Sequence, residues 1–275
     1  MKIGIIGTGN VGSTVAYTLI LENLVTDLVL IDTREEFAHA ETLELKDTAK
    51  ALSRTINFTK NDYAAIADAD IVIFSASPAA HMASSNRLEE LPMVKKIVED
   101  VADKLKTCGF GGVIISITNP CDVVAWYLQR QTGFDPQRVI GSGAVIDTAR
   151  LRDRANHDEC LIIGEHGDSQ VAVGEVSPQA QEAARSTGWE VYSAKGYTNF
   201  AIAACVGKIV KAIAGITSDE LSVSSYDEEA EAYYSVPTKL GKSGVVSRNI
   251  PPLTDAERIE LDKSIATIKE AFAQL

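Results

Sequence analysis

Four short apolar runs punctuate the first half of the chain: Ile3–Ile6, Leu28–Ile31, Ile71–Phe74 and Val113–Ile117. Each is continuous rather than alternating, the pattern of a strand covered on both faces. Stretches of helix length separate them, with Val11–Leu21 after the first run, Phe37–Leu52 after the second, and Leu88–Leu105 between the last two. Strands alternating with crossover helices predict a parallel, doubly wound sheet. Beyond about Ser142 the rhythm changes. A helix over Ile146–Arg154 is followed by the short runs Leu161–Ile163 and Val171–Val176, then by a long helical stretch from Ala194 to Ala214. Leu221–Val246 is rich in β-formers and punctuated by Pro237, Gly241 and Gly244, which predicts an antiparallel meander. Thr254 and Glu257 form a T-x-x-E capping box ahead of Leu261, Ile265, Ile268 and Phe272, so the last helix should bury one face. The acidic stretch Asp227–Glu231 reads as a solvated loop.

Composition narrows the function classes. With 275 residues and 45% of them apolar, the chain affords a sizeable core. A formal charge of −12 opposes any broad phosphate-backbone footprint, so nucleic acid is not an expected partner. A single nucleotide is still permitted, because a helix N-terminus holds phosphate through local geometry. No apolar run approaches the roughly 20 residues of a membrane span, and the short stretch before the first glycine lacks a signal-peptide pattern. Cys108, Cys121, Cys160 and Cys205 form no C-x-x-C pair and have no neighbouring His to complete a metal site. Reduced thiols in a soluble cytoplasmic protein are the expectation, with no metal and no membrane contact.

Directly after the first strand stands Gly7-Thr8-Gly9-Asn10-Val11-Gly12, opening a helix. In that context a G-x-G-x-x-G match carries weight. The first glycine permits the tight turn, the second admits a pyrophosphate to the backbone, and the third lets helix pack closely on strand. About 20 residues on, Asp32 ends the second strand, where a carboxylate accepts from adenosine ribose hydroxyls and repels a 2′-phosphate. Arg34 beside it softens that preference, but NAD rather than NADP is the predicted cofactor. The expected architecture is α/β. Residues 1–143 form an N-terminal Rossmann doubly wound parallel sheet, and residues 144–275 form a C-terminal α+β substrate domain.

Three further segments carry chemistry: Thr118-Asn119-Pro120-Cys121-Asp122, Asp147-Thr148-Ala149-Arg150 and Gly164-Glu165-His166-Gly167-Asp168. Together with the glycine turn they resemble the lactate/malate dehydrogenase superfamily. Gly141-Ser142-Gly143 and Lys195-Gly196-Tyr197-Thr198 bring the likeness closest to its L-lactate and L-2-hydroxyisocaproate dehydrogenases. The resemblance implies an NAD-dependent L-2-hydroxy acid dehydrogenase, with a small 2-oxo or 2-hydroxy acid as partner and a homo-oligomer, dimer or tetramer, as the assembly.

What it implies residue by residue is specific. His166 would exchange the proton with the substrate oxygen, and Asp147 would be its partner, since a carboxylate beside the ring favours the charged imidazole and fixes its tautomer. Arg150 would grip the substrate carboxylate through a bidentate fork that Lys cannot copy. Arg87, after the polar stretch Ser75–Asn86, matches the arginine of the family's mobile loop and would polarise the reacting carbonyl. Asn119 would contact substrate or cofactor, and Thr198 on the later helix would line the substrate pocket. Ser75, Ala76, Ser142 and Ile202 would complete the cofactor site with Gly7, Gly9, Asn10, Val11, Gly12 and Asp32.

The chain departs from the family in length. Residues 151–165 are too few for the helix, turn and strand that the family places there, and 174–194 is likewise compressed. A chain with segments missing is preferred over a trimmed enzyme, because a helix lost after Arg150 would leave apolar surface uncovered. The family reads the substrate side chain in the loop, with Gln for lactate and Arg for malate. Pro78-Ala79-Ala80-His81-Met82 offers neither, which speaks against malate and for an apolar side chain. Two other readings stand beside this one: an NAD-dependent glycosidase of the same architecture, for whose metal site the sequence shows no ligands, and a non-catalytic NAD-binding protein.

Overall fold

The computed structural model describes residues 1–78 and 91–275. The parallel strands are β1 (Lys2–Ile6), β2 (Asp27–Ile31), β3 (Asn57–Lys60), β4 (Ile71–Phe74), β5 (Val113–Ser116) and β6 (Val139–Gly141). They lie in the order β3-β2-β1-β4-β5-β6, all parallel, which is the doubly wound dinucleotide-binding arrangement. β9 (Leu221–Asp227), β10 (Ala232–Gly241) and β11 (Gly244–Arg248) extend the same sheet antiparallel, β9 joining β6 through Gly141 and Ser224. One nine-stranded sheet therefore contains strands from both sides of the expected 143/144 boundary. A separate antiparallel pair, β7 (Leu161–Ile163) and β8 (Val171–Val173), carries the loop between them.

The continuous apolar runs are explained by cover on both faces. Ile3, Ile5, Leu28, Leu30, Ile71 and Ile73 point to one side, against Val15 and Leu19 of α1 (Asn10–Leu21) and Val206 and Ile209 of α7 (Phe200–Ile213). Ile6, Val29, Ile31, Val72 and Phe74 point to the other, against Val94 and Val98 of α3 (Leu91–Cys108) and Val124 and Leu128 of α4 (Cys121–Thr132). Between β2 and β3 runs α2 (Glu35–Ala51). The closing helix α8 (Asp255–Phe272) starts at the expected box, in which Thr254 Oγ1 accepts from Glu257 N and Glu257 Oε2 accepts from Thr254 N.

Several expectations are corrected. The stretch 194–214 is not one helix: α6 (Pro178–Lys195) ends at Gly196, whose φ of +85° is a left-handed cap, and α7 starts at Phe200. Gly174, at φ +108°, stops the strand expected to reach Val176. Pro237 lies inside β10, opposite Ser222, rather than between strands. Of the acidic stretch, Glu228, Glu229 and Glu231 form the expected exposed turn, but Asp227 ends β9, half-buried, and pairs with Arg248 and Tyr234. Residues 151–165 do hold helix, turn and strand, since α5 (Val145–Ala155) ends at Asn156 in the left-handed conformation and β7 begins at Leu161. The apolar surface there is covered as well, with Leu151, Cys160 and Ile162 packing against Ala184 of α6.

Candidate active site

The register of the sheet brings the predicted cofactor residues to one edge. Ile6 pairs with Ile31 and Phe74, Phe74 with Ser116, and Ser116 with Gly141. The next residue out on each strand is therefore Gly7, Asp32, Ser75, Ile117 or Ser142. All lie at the carboxyl ends of parallel strands, and β1 and β4 flank the switch point where such folds bind nucleotides.

At that switch point Gly7 has φ +92°, and a Cβ there would stand 2.6 Å from the Ala76 backbone nitrogen. A Cβ on Gly12 would come within 1.9 Å of Gly7 O, so α1 touches the β1 turn without room for a methyl group. At Gly9 the nearest heavy atom would be Arg34 Nη2, 3.9 Å away, leaving this face of the turn open. The N-terminus of α1 carries no side-chain cap. Open backbone at an uncapped helix start fits a pyrophosphate. Asp32, 7% exposed at its side chain, accepts from Thr8 N at 3.0 Å and from Arg34 Nε and Nη2, both at 3.0 Å. Burial pushes this carboxyl up, but the hydrogen bonds from Arg34 and Thr8 outweigh burial and hold it at about 2. Arg34 in turn lies 4.0 Å from the Phe37 ring centre.

The second cluster forms where α5, the β7–β8 loop and the start of α4 meet. Asp147 stands in the first turn of α5, where the helix dipole favours a carboxylate. Arg150, one turn on, shares its face and donates from Nη1 to Asp147 Oδ1 at 3.2 Å. His166 Nδ1 is paired with Asp147 Oδ2. All three side chains are largely buried, at 9% exposed for Asp147, 13% for Arg150 and 10% for His166.

The loop bearing His166 is fixed from three sides. Gly164 exchanges backbone hydrogen bonds with Ser235 of β10, at 2.8 and 2.9 Å. Glu165 N donates to Ser264 Oγ of α8 at 2.8 Å, and His166 N donates to Asp122 Oδ2 of α4 at 2.7 Å. Thr148 Oγ1 also accepts from Ile162 N at 3.0 Å, tying the Asp147 helix to the strand that leads into the loop. A dinucleotide edge beside a preorganised carboxylate–imidazole–guanidinium cluster suits hydride exchange with an anionic carbonyl compound.

Comparison with known proteins agrees. The lactate/malate dehydrogenase NAD-binding domain matches residues 1–141, and the α/β C-terminal domain of the same family matches residues 177–275. The chain belongs to the lactate/malate dehydrogenase family. L-lactate dehydrogenase 1 of Bifidobacterium longum is 33% identical over 304 residues, covering 98% of this chain and 96% of its own. The malate dehydrogenase of Archaeoglobus fulgidus, solved with NADH, superposes with a TM-score of 0.92 at 29% identity, covering 100% of this chain and 99% of its own. The minor L-lactate dehydrogenase of Enterococcus mundtii, solved with ligands bound, gives a TM-score of 0.91 at 25% identity, covering 100% and 98%. The protein is accordingly an NAD-dependent oxidoreductase acting on a 2-hydroxy acid.

Within this dehydrogenase the other predicted residues are placed as follows. Asn119 is half-buried in the turn between β5 and α4. Ser142 is buried, 3.6 Å from Cys121 Sγ, which also accepts from Gly143 N at 3.3 Å. Thr198 sits in the loop between α6 and α7 rather than on a helix. That loop is tied to the cofactor helix, for Asn199 Nδ2 donates to Thr14 Oγ1 of α1 at 2.9 Å. Ile202, on α7, is half-buried against the same core as Val11. Arg87 and residues 79–86 lie outside the described residues.

Three contributors escaped the sequence reading: the Arg34 clamp on Asp32, the Asn199 bridge to α1, and the Asp122 contact to the His166 backbone. For Asp122 a signal was present, as the last residue of the Thr118–Asp122 motif, but nothing in the sequence says which residue it meets.

Proposed function

We propose that this dehydrogenase reversibly interconverts a 2-oxo acid and its L-2-hydroxy acid, and that the substrate side chain is small or apolar, as in L-lactate or the bulkier 2-hydroxyisocaproate. The observation carrying this reading is the Asp147–His166 pair with Arg150 one helical turn away. Bound NAD supplies the hydride acceptor and donor. Arg150 binds the substrate carboxylate, and its largely buried side chain makes each charged hydrogen bond count for more than in water. His166 holds the exchanging proton at Nε2, because Asp147 occupies Nδ1. Arg87 polarises the carbonyl, Asn119 and Thr198 complete the substrate wall, and Ser75, Ala76, Ser142 and Ile202 line the nicotinamide end. Gly7, Gly9, Asn10, Val11 and Gly12 cradle the pyrophosphate.

The absence of both Gln and Arg from Pro78–Met82 supports an apolar side chain over a second carboxylate. A panel from pyruvate through 2-oxoisocaproate to oxaloacetate, followed by loss of NADH absorbance, tests reaction and preference together. Turnover confined to oxaloacetate would overturn the preference, and no turnover on any member the reaction.

The reading extends to assembly and location. Tyr17 and Leu21 of α1, Leu43 of α2 and Phe200 of α7 are exposed, and α1 packs against both other helices, which supports an apolar face for a second copy in a dimer or tetramer. Cys108, Cys160 and Cys205 are free thiols, which supports a reducing cytoplasm. Among the described residues no helix is long and apolar enough to cross a membrane.

A further inference from the structure

Asp122, in the first turn of α4, is 2% exposed. Its Oδ2 accepts the His166 main-chain N–H at 2.7 Å, and the buried Ser224 hydroxyl stands close to the same carboxyl. The charges it senses are His166, which favours its ionised form, and Glu165, which opposes it. Burial pushes this carboxyl up to about 6, against the pull of Ser224, the His166 N–H and the His166 ring. Holding one N–H needs only a neutral acceptor, and an amide would do so without the desolvation that a buried carboxylate suffers. Above about pH 6 the position therefore carries a charge that an amide would not supply.

We propose that Asp122 is a positioning residue for the proton exchange at His166, holding the loop through its main chain and lending the imidazolium a second carboxylate behind Asp147. This rests on the dehydrogenase reading above. Among the described residues, the charged groups around His166 include Asp147 and Arg150 from α5, Asp122 from α4 and Glu165 from its own loop, the last engaged by Ser169 N at 3.0 Å. Reduction of a 2-oxo acid needs the protonated ring, so removing one nearby negative charge should empty that form at lower pH.

The test is Asp122→Asn, which keeps an acceptor for His166 N and offers an amide to Ser224, with Asp122→Ala beside it. In the isosteric variant the pH profile of KM for the 2-oxo acid should begin its alkaline rise at lower pH than in the parent. At about pH 8 the KM for the 2-oxo acid should rise about tenfold with kcat at saturation and NADH affinity little changed. The raised carboxyl also costs the folded state stability as pH climbs from the ordinary carboxylate range through about 6. Asp122→Asn should therefore melt higher than the parent at neutral pH, the margin closing towards about pH 4. A parental KM profile across pH would overturn the proposal. Should Asp122→Ala fail to fold, the isosteric variant decides. If the parent reduces no 2-oxo acid, the dehydrogenase reading falls, and the melting comparison across pH still judges the buried charge of Asp122.

Discussion

Asp147 divides its carboxylate between two neighbours, Oδ2 pairing with His166 Nδ1 and Oδ1 accepting from Arg150 Nη1 at 3.2 Å. One side chain thus fixes the ring tautomer and the direction of the guanidinium at once. Replacing it with Asn keeps the shape but presents an NH₂ group to one of the two donors and removes the charge that favours imidazolium. Asp147→Asn should lower kcat/KM for the 2-oxo acid by about 10²-fold or more, within the range that positioned acid–base groups contribute. Steady-state assays with NADH binding as the fold control check this. A value within about threefold of the parent would mean that His166 does not depend on Asp147.

Arg150 separates charge from geometry. Lys keeps the charge at this position but cannot present two parallel N–H donors to a carboxylate. Losing one charge-assisted hydrogen bond from a largely buried site costs about 3 kcal/mol, or about 10²-fold in affinity. For Arg150→Lys the KM for the 2-oxo acid should rise by that factor, and NADH affinity should hold, because Arg150 is assigned no cofactor contact. An unchanged KM would move the carboxylate anchor elsewhere.

How far the sequence could be read depended on what each pattern encodes. Continuous apolar runs located β1, β2, β4 and β5 because burial on both faces leaves no polar position to disguise them. Edge strand β3 escaped, since Asn57, Thr59 and Lys60 look like loop. α4 escaped for the opposite reason: it is buried on nearly every side, so its residues show no polar face to mark a helical period. α6 hid in a stretch where small and polar residues dominate. In the site, Asp147, Arg150 and His166 were legible only through the D-x-x-R and G-E-H-G-D motifs that carry the family resemblance, and the hydrogen bond from Arg150 to Asp147 was not read. The Asp122 contact to His166, by contrast, spans 44 positions and involves a main-chain N–H. No local pattern records such a contact.

The glycine turn makes a steric prediction. A methyl group at Gly12 would lie 1.9 Å from Gly7 O, an overlap with backbone that no rotamer relieves. Gly12→Ala must therefore push α1 away from β1, moving the helix start expected to hold the pyrophosphate. NADH binding by fluorescence should be lost or weakened more than about tenfold, alongside an overpacking loss of about 1–3 kcal/mol in stability. Parental NADH affinity would show that the turn accepts a Cβ after all.

Asp32 links cofactor choice to acid stability. Its carboxyl, held at about 2 in the fold, sits below the ordinary value of 3.8, so its contribution is present above about 3.8 and is lost as pH falls through about 2. For a side chain 7% exposed this is about 2 kcal/mol at most, and Asp32→Ser should flatten that part of the acid-melting curve. The same substitution releases Arg34 from its two 3.0 Å hydrogen bonds while the Phe37 ring keeps its guanidinium beside the turn. A cation in place of an anion there suits a 2′-phosphate. Asp32→Ser should raise the NADPH-to-NADH ratio of kcat/KM by about 10²-fold, or about 2.7 kcal/mol, measured with one 2-oxo acid at fixed ionic strength. If NADH use declines and NADPH is still rejected, Arg34 does not reach the phosphate, and Asp32 selects the cofactor through its ribose contacts alone.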